Sequence, residues 1–243
     1  MVYYIYSQGT DKNPKGYDLR MKKILYCTLD TETVGGAVNP TGMYDLGCII
    51  HDREGNVYAT TSLLVMEHYE EINKDDYAKK NFHLYEKRLS SGMLSAVATE
   101  NDAFNIVRNL CRFYGVKYVM AYNTGFDLVK TICKHLIPEF EFIDIYLVAL
   151  QTICHLKGYA DFCRVNNFRS FSGKSCATSA ESVYAYITKN PDYVEEHTAL
   201  SDAFIEKEIF VRCMKMHKKF SKNIHQWDAK DKSYNKCFPK WAV

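Results

Sequence analysis

A chain of 243 residues with 47% apolar and 25% charged side chains has the size and balance of one folded domain, which excludes a disordered or low-complexity chain. A net charge of +2 excludes any argument for a nucleic-acid or membrane partner from bulk electrostatics alone. Nine cysteines without a C-x-x-C pair, and without zinc-finger spacing to histidine, read as reduced thiols filling a core rather than as a disulfide or zinc framework.

No apolar run approaches the ~18 residues of a membrane span. Met1 to Tyr6 is apolar but too short for a signal peptide and lacks a basic start. The expectation is a soluble cytoplasmic protein with no membrane partner.

Residues 7–20 are polar and punctuated by Gly and Pro, as in a surface loop or an added hairpin. Met21 to Asp30 reads as the first core strand. Tyr44 to Ile50 and Asn56 to Val65 read as two more, joined by a turn containing Gly55, so three successive antiparallel strands are expected. Glu67 to Ser91 is helical in composition and ends in the loop Ser90-Ser91-Gly92. Asn101 to Tyr114 places Phe104, Val107, Cys111 and Tyr114 on one helical face, with Gly115 as the stop. Val116 to Tyr122 is a strand. Val129, Ile132, Cys133 and Leu136 then keep helical spacing up to Pro138.

Glu141 to Ile143 reads as a fifth strand and Asp144 to His155 as a helix. Residues 157–176 carry no clear period. They mix Lys157, Arg164, Arg169 and Lys174 with Tyr159, Phe162, Phe168 and Phe171, which suits either a nucleic-acid loop or an insertion tucked onto the core. Ser179 to Thr188 is a helix stopped by Asn190-Pro191. His197 to Met216 is a long helix, apolar on more than one stripe. From Lys215 onwards, eight lysines alternate with Trp227, Tyr234, Phe238 and Trp241, a tail that could track a phosphate backbone or fold back on the domain. The order predicts one α/β domain with a mixed five-stranded sheet flanked by helices, its core at about 21–216.

The stretch L-Y-C-T-L-D-T-E-T-V-G-G, Leu25 to Gly36, carries the chemistry. Asp30 and Glu32 are two apart, so an extended backbone turns both carboxylates to one side at the end of a buried strand. Two close anions repel unless a cation sits between them, and hard cations such as Mg²⁺ or Mn²⁺ prefer oxygen ligands. Asp127 stands at a strand-to-helix turn. His197 and Asp202 stand at the start of the long helix. Each alone has a plain structural explanation, a solvated strand end or a helix N-terminal charge. Together they are four acids and one histidine at element ends that could meet at one sheet edge, where open α/β sheets place ligands.

In this order the residues resemble the three motifs of the DEDDh-type 3′→5′ exonucleases, a family that includes polymerase proofreading subunits. Leu29 to Gly35 resembles the first motif, Ala121 to Asp127 the second, and His197 to Ala203 the third. Thr198 excludes the branch that carries Tyr four residues before the last Asp. Val34 and Tyr122 depart from the residues most often found there.

The resemblance implies an RNase H-like fold and two-metal hydrolysis of a phosphodiester, releasing nucleoside 5′-monophosphates. It implies two divalent cations, Mg²⁺ or Mn²⁺, held by Asp30, Glu32, Asp127 and Asp202, with His197 as general base. It puts Thr33 at the terminal 3′-hydroxyl, with Asn123 and Phe126 beside it. The implied partner is a single-stranded 3′ end, DNA ahead of RNA on family breadth, with a polymerase or other replication protein as a candidate companion. An RNA or short-oligonucleotide exonuclease, and a non-catalytic binding module on the same fold, are the alternatives. The oligomeric state stays open.

Overall fold

Strand β1 (Leu25–Val34) is the centre of a mixed sheet because it pairs on both edges: antiparallel with β2 (Gly42–Asp52) and parallel with β5 (Tyr118–Ala121). The computed structural model describes residues 23–35, 42–76, 78–128, 130–136, 138–170 and 172–216. The expectations for 1–20 and for the tail beyond 216 lie outside them. β3 (Val57–Val65) pairs antiparallel with β2, and β6 (Glu141–Asp144) parallel with β5. With β4 (Ser95–Val97) at the β3 edge, the order is β4-β3-β2-β1-β5-β6.

Among the described residues the sheet has six strands where five are expected. The addition is β4 (Ser95–Val97), three residues running parallel to the end of β3. Ser95 and Ala96 are exposed, so this edge strand has almost no apolar signature in the sequence. A second difference bears on the site. β1 does not end at Asp30 but continues to Val34, with a register shift between Glu32 and Thr33. The acids therefore project from within a paired strand, which fixes them more firmly than a fraying end.

The helices are α1 (Tyr69–Ile72), α2 (Phe82–Ser90), α3 (Glu100–Tyr114), α4 (Thr124–Asp127), α5 (Ile145–Thr152), α6 (Lys157–Val165), α7 (Ala180–Thr188) and α8 (Ala199–Lys215). Their ends follow from local chemistry. Thr99 Oγ1 accepts the Asp102 N–H at 3.1 Å to start α3, and Gly115, at φ 63°, stops it in the left-handed conformation. Asp144 caps α5 through the Tyr146 N–H at 3.0 Å. α6 replaces the expected aperiodic stretch: Tyr159 and Cys163, four apart, are buried, while Arg164, Arg169 and Lys174 stay exposed. Phe162 stacks on Phe168 and meets Tyr186 edge-on, so this segment packs onto the domain.

The expected helix over 129–136 is not continuous. α4 stops at Asp127, and Ile132–Leu136 is a 3₁₀ turn. Thr131 is the cause. Its hydroxyl donates to the Asp127 carbonyl and accepts the Cys133 N–H at 3.1 Å, replacing helical bonds.

α3 covers one face of the sheet over Leu29, Cys48 and Ile50; α5, α7 and α8 cover the other over Tyr26 and Met120. Every residue of β2 is buried, as expected of a strand covered on both sides. Each fully buried Leu or Ile here contributes about 1.5–3 kcal/mol. No helix among the described residues is long and apolar enough to cross a membrane.

Candidate active site

β5 pairs with β1 only as far as Thr28↔Met120. Beyond that point the two strands separate, leaving a crevice at their carboxyl ends between an antiparallel and a parallel neighbour. Asp127 enters it. Its Oδ1 accepts the Thr31 N–H at 3.1 Å and the Thr31 hydroxyl at 2.7 Å, taking the place of the missing ladder partner. The turn that delivers Asp127 is clamped by Asp144, which accepts the Asn123 N–H at 3.2 Å and the Thr124 hydroxyl at 3.0 Å.

α8 closes the crevice from above. Gly47 lies opposite Asp30 in the ladder, and Asp45 lies opposite Glu32. A Cβ at Gly47 would stand 2.3 Å from the Leu200 nitrogen, so only glycine lets the helix start sit this close. The N-cap residue Thr198 makes no side-chain capping bond to the helix N–H groups. Asp45 Oδ2 caps from across the sheet instead, accepting the Ala199 N–H at 2.9 Å and the Tyr85 hydroxyl at 3.0 Å. The same hydroxyl, and the Asn81 amide, reach the His197 carbonyl at 3.5 and 3.4 Å. His197 itself sits at φ 54°, a left-handed backbone that is uncommon outside glycine.

One ligand atom each from Glu32, His197 and Asp202 lie within 4.8 Å of one another. Glu32 is far from His197 and Asp202 in the sequence and meets them only in the fold. Asp30 and Asp127 join the group electrostatically. The Asp30 carboxyl is raised well above the usual carboxylate range by burial, then by Asp127, Glu206, Asp202 and Glu32. Glu32 is raised by burial and then by Asp202 and Asp45. Burial carries Asp127 up to about 7 against the Thr31 hydrogen bonds, and burial with Glu195 carries Asp202 up to about 8. At 4 Å and an effective dielectric constant near 20, two like unit charges repel by about 4 kcal/mol, which is the scale of the penalty for ionising two neighbouring carboxyls.

The donor set fits a hard divalent cation. It is made of carboxylate oxygens with one imidazole, and Asp202 Oδ1 is buried with no hydrogen-bond donor. A cation would relieve both the repulsion and the unsatisfied oxygen.

Thr33 is buried and borders a cavity of about 250 Å³, lined also by Met43, Glu100, Lys130, Lys134 and His135. Asn123 and Phe126 are not on that wall. Asn123 is exposed at φ 74°, and the Phe126 ring lies under Lys130 Nζ at 5.9 Å. Two further acids press on these carboxyls, Asp45 on Glu32 and Glu206 on Asp30, without being among the sequence expectations. Asp45 is a fully buried acid in the apolar strand β2, and Glu206 is a buried acid one turn beyond Asp202 on α8. A carboxylate on an otherwise apolar stripe was the available signal for each.

No protein-family model matches the chain, and no curated protein sequence matches it.

Proposed function

We propose that the protein is a metal-dependent 3′→5′ exonuclease on an RNase H-like sheet, acting on single-stranded nucleic-acid ends. The observation that carries this reading is the meeting of Glu32, His197 and Asp202, with Asp30 and Asp127 beside them, at the point where β1 and β5 part. The antiparallel β1-β2-β3 set followed by parallel β5 and β6 supports the fold assignment.

In this reading Asp30, Glu32, Asp127 and Asp202 hold the cations. Bound divalent ions supply a polarised phosphoryl oxygen and a more acidic water. Thr31 keeps the Asp127 carboxylate fixed through two hydrogen bonds, so it needs no reorganisation on binding. His197, with 43% of its side chain exposed, is open to solvent and takes the proton of the attacking water. The water oxygen bonds to the terminal phosphorus and the bond to the preceding 3′-oxygen breaks. That oxygen collects a proton, giving a shortened strand with a free 3′-hydroxyl and a nucleoside 5′-monophosphate. Lys130 and Lys134 around the cavity beside Thr33 offer cationic groups to the strand's phosphates.

The test is a gel assay on 5′-labelled single-stranded DNA and RNA with Mg²⁺, Mn²⁺ or EDTA, using wild type, His197→Ala and Asp30→Asn. A ladder shrinking from the 3′ end, lost with EDTA and in both variants, is the expected result, and the faster strand identifies the sugar. Strand binding without a ladder, unchanged by Asp30→Asn, would replace this reading with a non-catalytic binding module.

A further inference from the structure

His197 belongs to the loop between α7 and α8, and the last residues of that loop are tied down one after another. The Glu195 N–H donates to Glu181 Oε1 at 3.4 Å, and Arg88 Nη2 donates to Glu196 Oε2 at 2.7 Å. The His197 carbonyl accepts from the Tyr85 hydroxyl and the Asn81 amide. The two acids before His197 differ in their surroundings. Glu196 is half exposed and paired with an arginine of α2. Glu195 is mostly covered, its side chain 15% exposed, and its Oε2 stands 4.0 Å from His197 Nδ1. Its carboxylate also accepts the backbone N–H of Glu181 in the first turn of α7, so residues 181 and 195 exchange a pair of bonds. The fold anchors this carboxylate independently of the imidazole.

An imidazole that takes a proton from water needs one bare ring nitrogen, and the hydrogen bond at the other nitrogen decides which one is bare. A carboxylate can only accept. Beside Nδ1 it favours the Nδ1–H tautomer and leaves Nε2 bare. At 4.0 Å the two atoms are beyond hydrogen-bond length, and catalytic hydrogen bonds commonly tighten when substrate is bound. Once Nε2 has taken the proton, the anion stands beside an imidazolium and stabilises it.

We propose that Glu195 is the positioning residue of His197, holding the imidazole in the tautomer and orientation that leave Nε2 free for the proton of the attacking water. This rests on the reading of His197 as general base, and Glu195 lies outside the stretches that resemble the three motifs.

Glu195→Gln in the full chain, assayed with Mg²⁺, tests it. The glutamine carbonyl still accepts the Glu181 N–H, so the loop keeps its anchor, while the amide NH₂ is a donor and favours the Nε2–H tautomer. kcat on a 5′-labelled strand is expected to fall on the order of 10²-fold or more, with KM, melting temperature and Mn²⁺ affinity unchanged. Glu196→Gln removes the neighbouring charge and keeps an oxygen for Arg88, so its kcat is expected to stay within about twofold of wild type. Proton–nitrogen correlation NMR of the histidine rings reads the tautomer without turnover, the His197 signals being identified by their loss in His197→Ala. Nδ1–H is expected in wild type at about pH 8, and Nε2–H in Glu195→Gln. An unchanged kcat or an unchanged tautomer in Glu195→Gln overturns the proposal, as does an equal loss of kcat in Glu196→Gln, and each leaves metal-dependent cleavage standing. A wild-type chain that cleaves no 3′ end fails the exonuclease reading, and the ring tautomers then still decide whether Glu195 sets His197.

Discussion

Gly47→Ala tests how tightly the fold sets the site, with one methyl group and no change at any acid. The added Cβ would stand 2.3 Å from the Leu200 nitrogen, 2.4 Å from the Ala199 carbonyl carbon and 2.5 Å from the Leu200 Cα, all backbone atoms. Ordinary contact begins at 3.4 Å, so the first turn of α8 must retreat by about 1 Å, the difference between 3.4 and 2.3 Å. That turn carries Asp202 and adjoins His197, while Asp30 and Glu32 stay on the sheet. Misplacing catalytic groups by about 1 Å costs on the order of 10²-fold in rate. Overpacking costs about 1–3 kcal/mol of stability, and each kcal/mol lowers the Tm by about 2–4 °C in a chain of this size. The assay pairs initial rates on a 5′-labelled strand with thermal melts and Mn²⁺ affinity. Gly158→Ala is the control: its Cβ would meet only the Tyr186 hydroxyl, at 3.1 Å, far from the acids in the chain. Gly47→Ala with a rate within about twofold of wild type and an unshifted melt would refute the claim that the α8–β2 approach positions the site.

Without divalent cations, the raised Asp127 and Asp202 carboxyls make the folded chain bind more protons than the unfolded one between about pH 4 and 8. Stability should therefore fall as pH rises through that window in EDTA, and Mn²⁺ at 100 times its Kd should restore about 2.7 kcal/mol at pH 8; equal melts with and without the ion would contradict this. Asp127→Asn keeps an oxygen for Thr31 but removes the disfavoured charge, so it should melt higher than wild type in EDTA at pH 8 and lack the proposed nuclease activity with Mn²⁺ present. Buried His51, bonded to Thr28 and to the Asp52 carbonyl, has its pKa lowered by burial to about 4. Its contribution is present above about pH 6.5 and lost as pH falls towards 4, about 3 kcal/mol in all, so the stability gap between wild type and His51→Gln should narrow by that order between pH 7.5 and 4.5 in urea titrations. Tyr85→Phe removes the hydroxyl from Asp45 and from the His197 carbonyl; kcat should drop about tenfold with KM unchanged, and stability by about 1–3 kcal/mol.

The central strand, its antiparallel partners and the helix α3 were legible because each repeats a local rule: an apolar run, a glycine turn, an apolar helical face and a Gly115 stop. Asp30, Glu32, Asp127, His197 and Asp202 stood out in the sequence because their order resembles a known set of motifs. What escaped depends on contacts between distant segments. β4 is too short and too exposed to carry a period. α6 buries only Tyr159 and Cys163, a stripe too thin to stand out among its charges. The break at Thr131 comes from one hydroxyl choosing the Asp127 carbonyl, which no spacing rule encodes. Gly47 reads as an ordinary strand glycine until α8 is laid across it, and Asp45 reads as a misplaced acid until the Ala199 N–H points at it.

Those two positions show how the sheet, rather than the helix's own cap, sets the geometry of the crevice. Helix starts are commonly held by a side chain in the residue before them, a local device that leaves the helix free to shift as a unit. Here the first N–H of α8 is held by a strand residue 154 positions away, and the preceding loop is held through its His197 carbonyl by Tyr85 and Asn81 of the α2 region. A left-handed backbone at a non-glycine residue costs of order 1–3 kcal/mol and persists where its surroundings over-determine it. The three bonds around His197 and Ala199 supply that constraint. Together with the repelling acids they describe a site that spends fold stability on position: strained backbone at the base and disfavoured charge beside it, the charge being what a bound cation would neutralise. Stabilising the metal-free chain by removing any of these features should therefore weaken the chemistry that the arrangement supports.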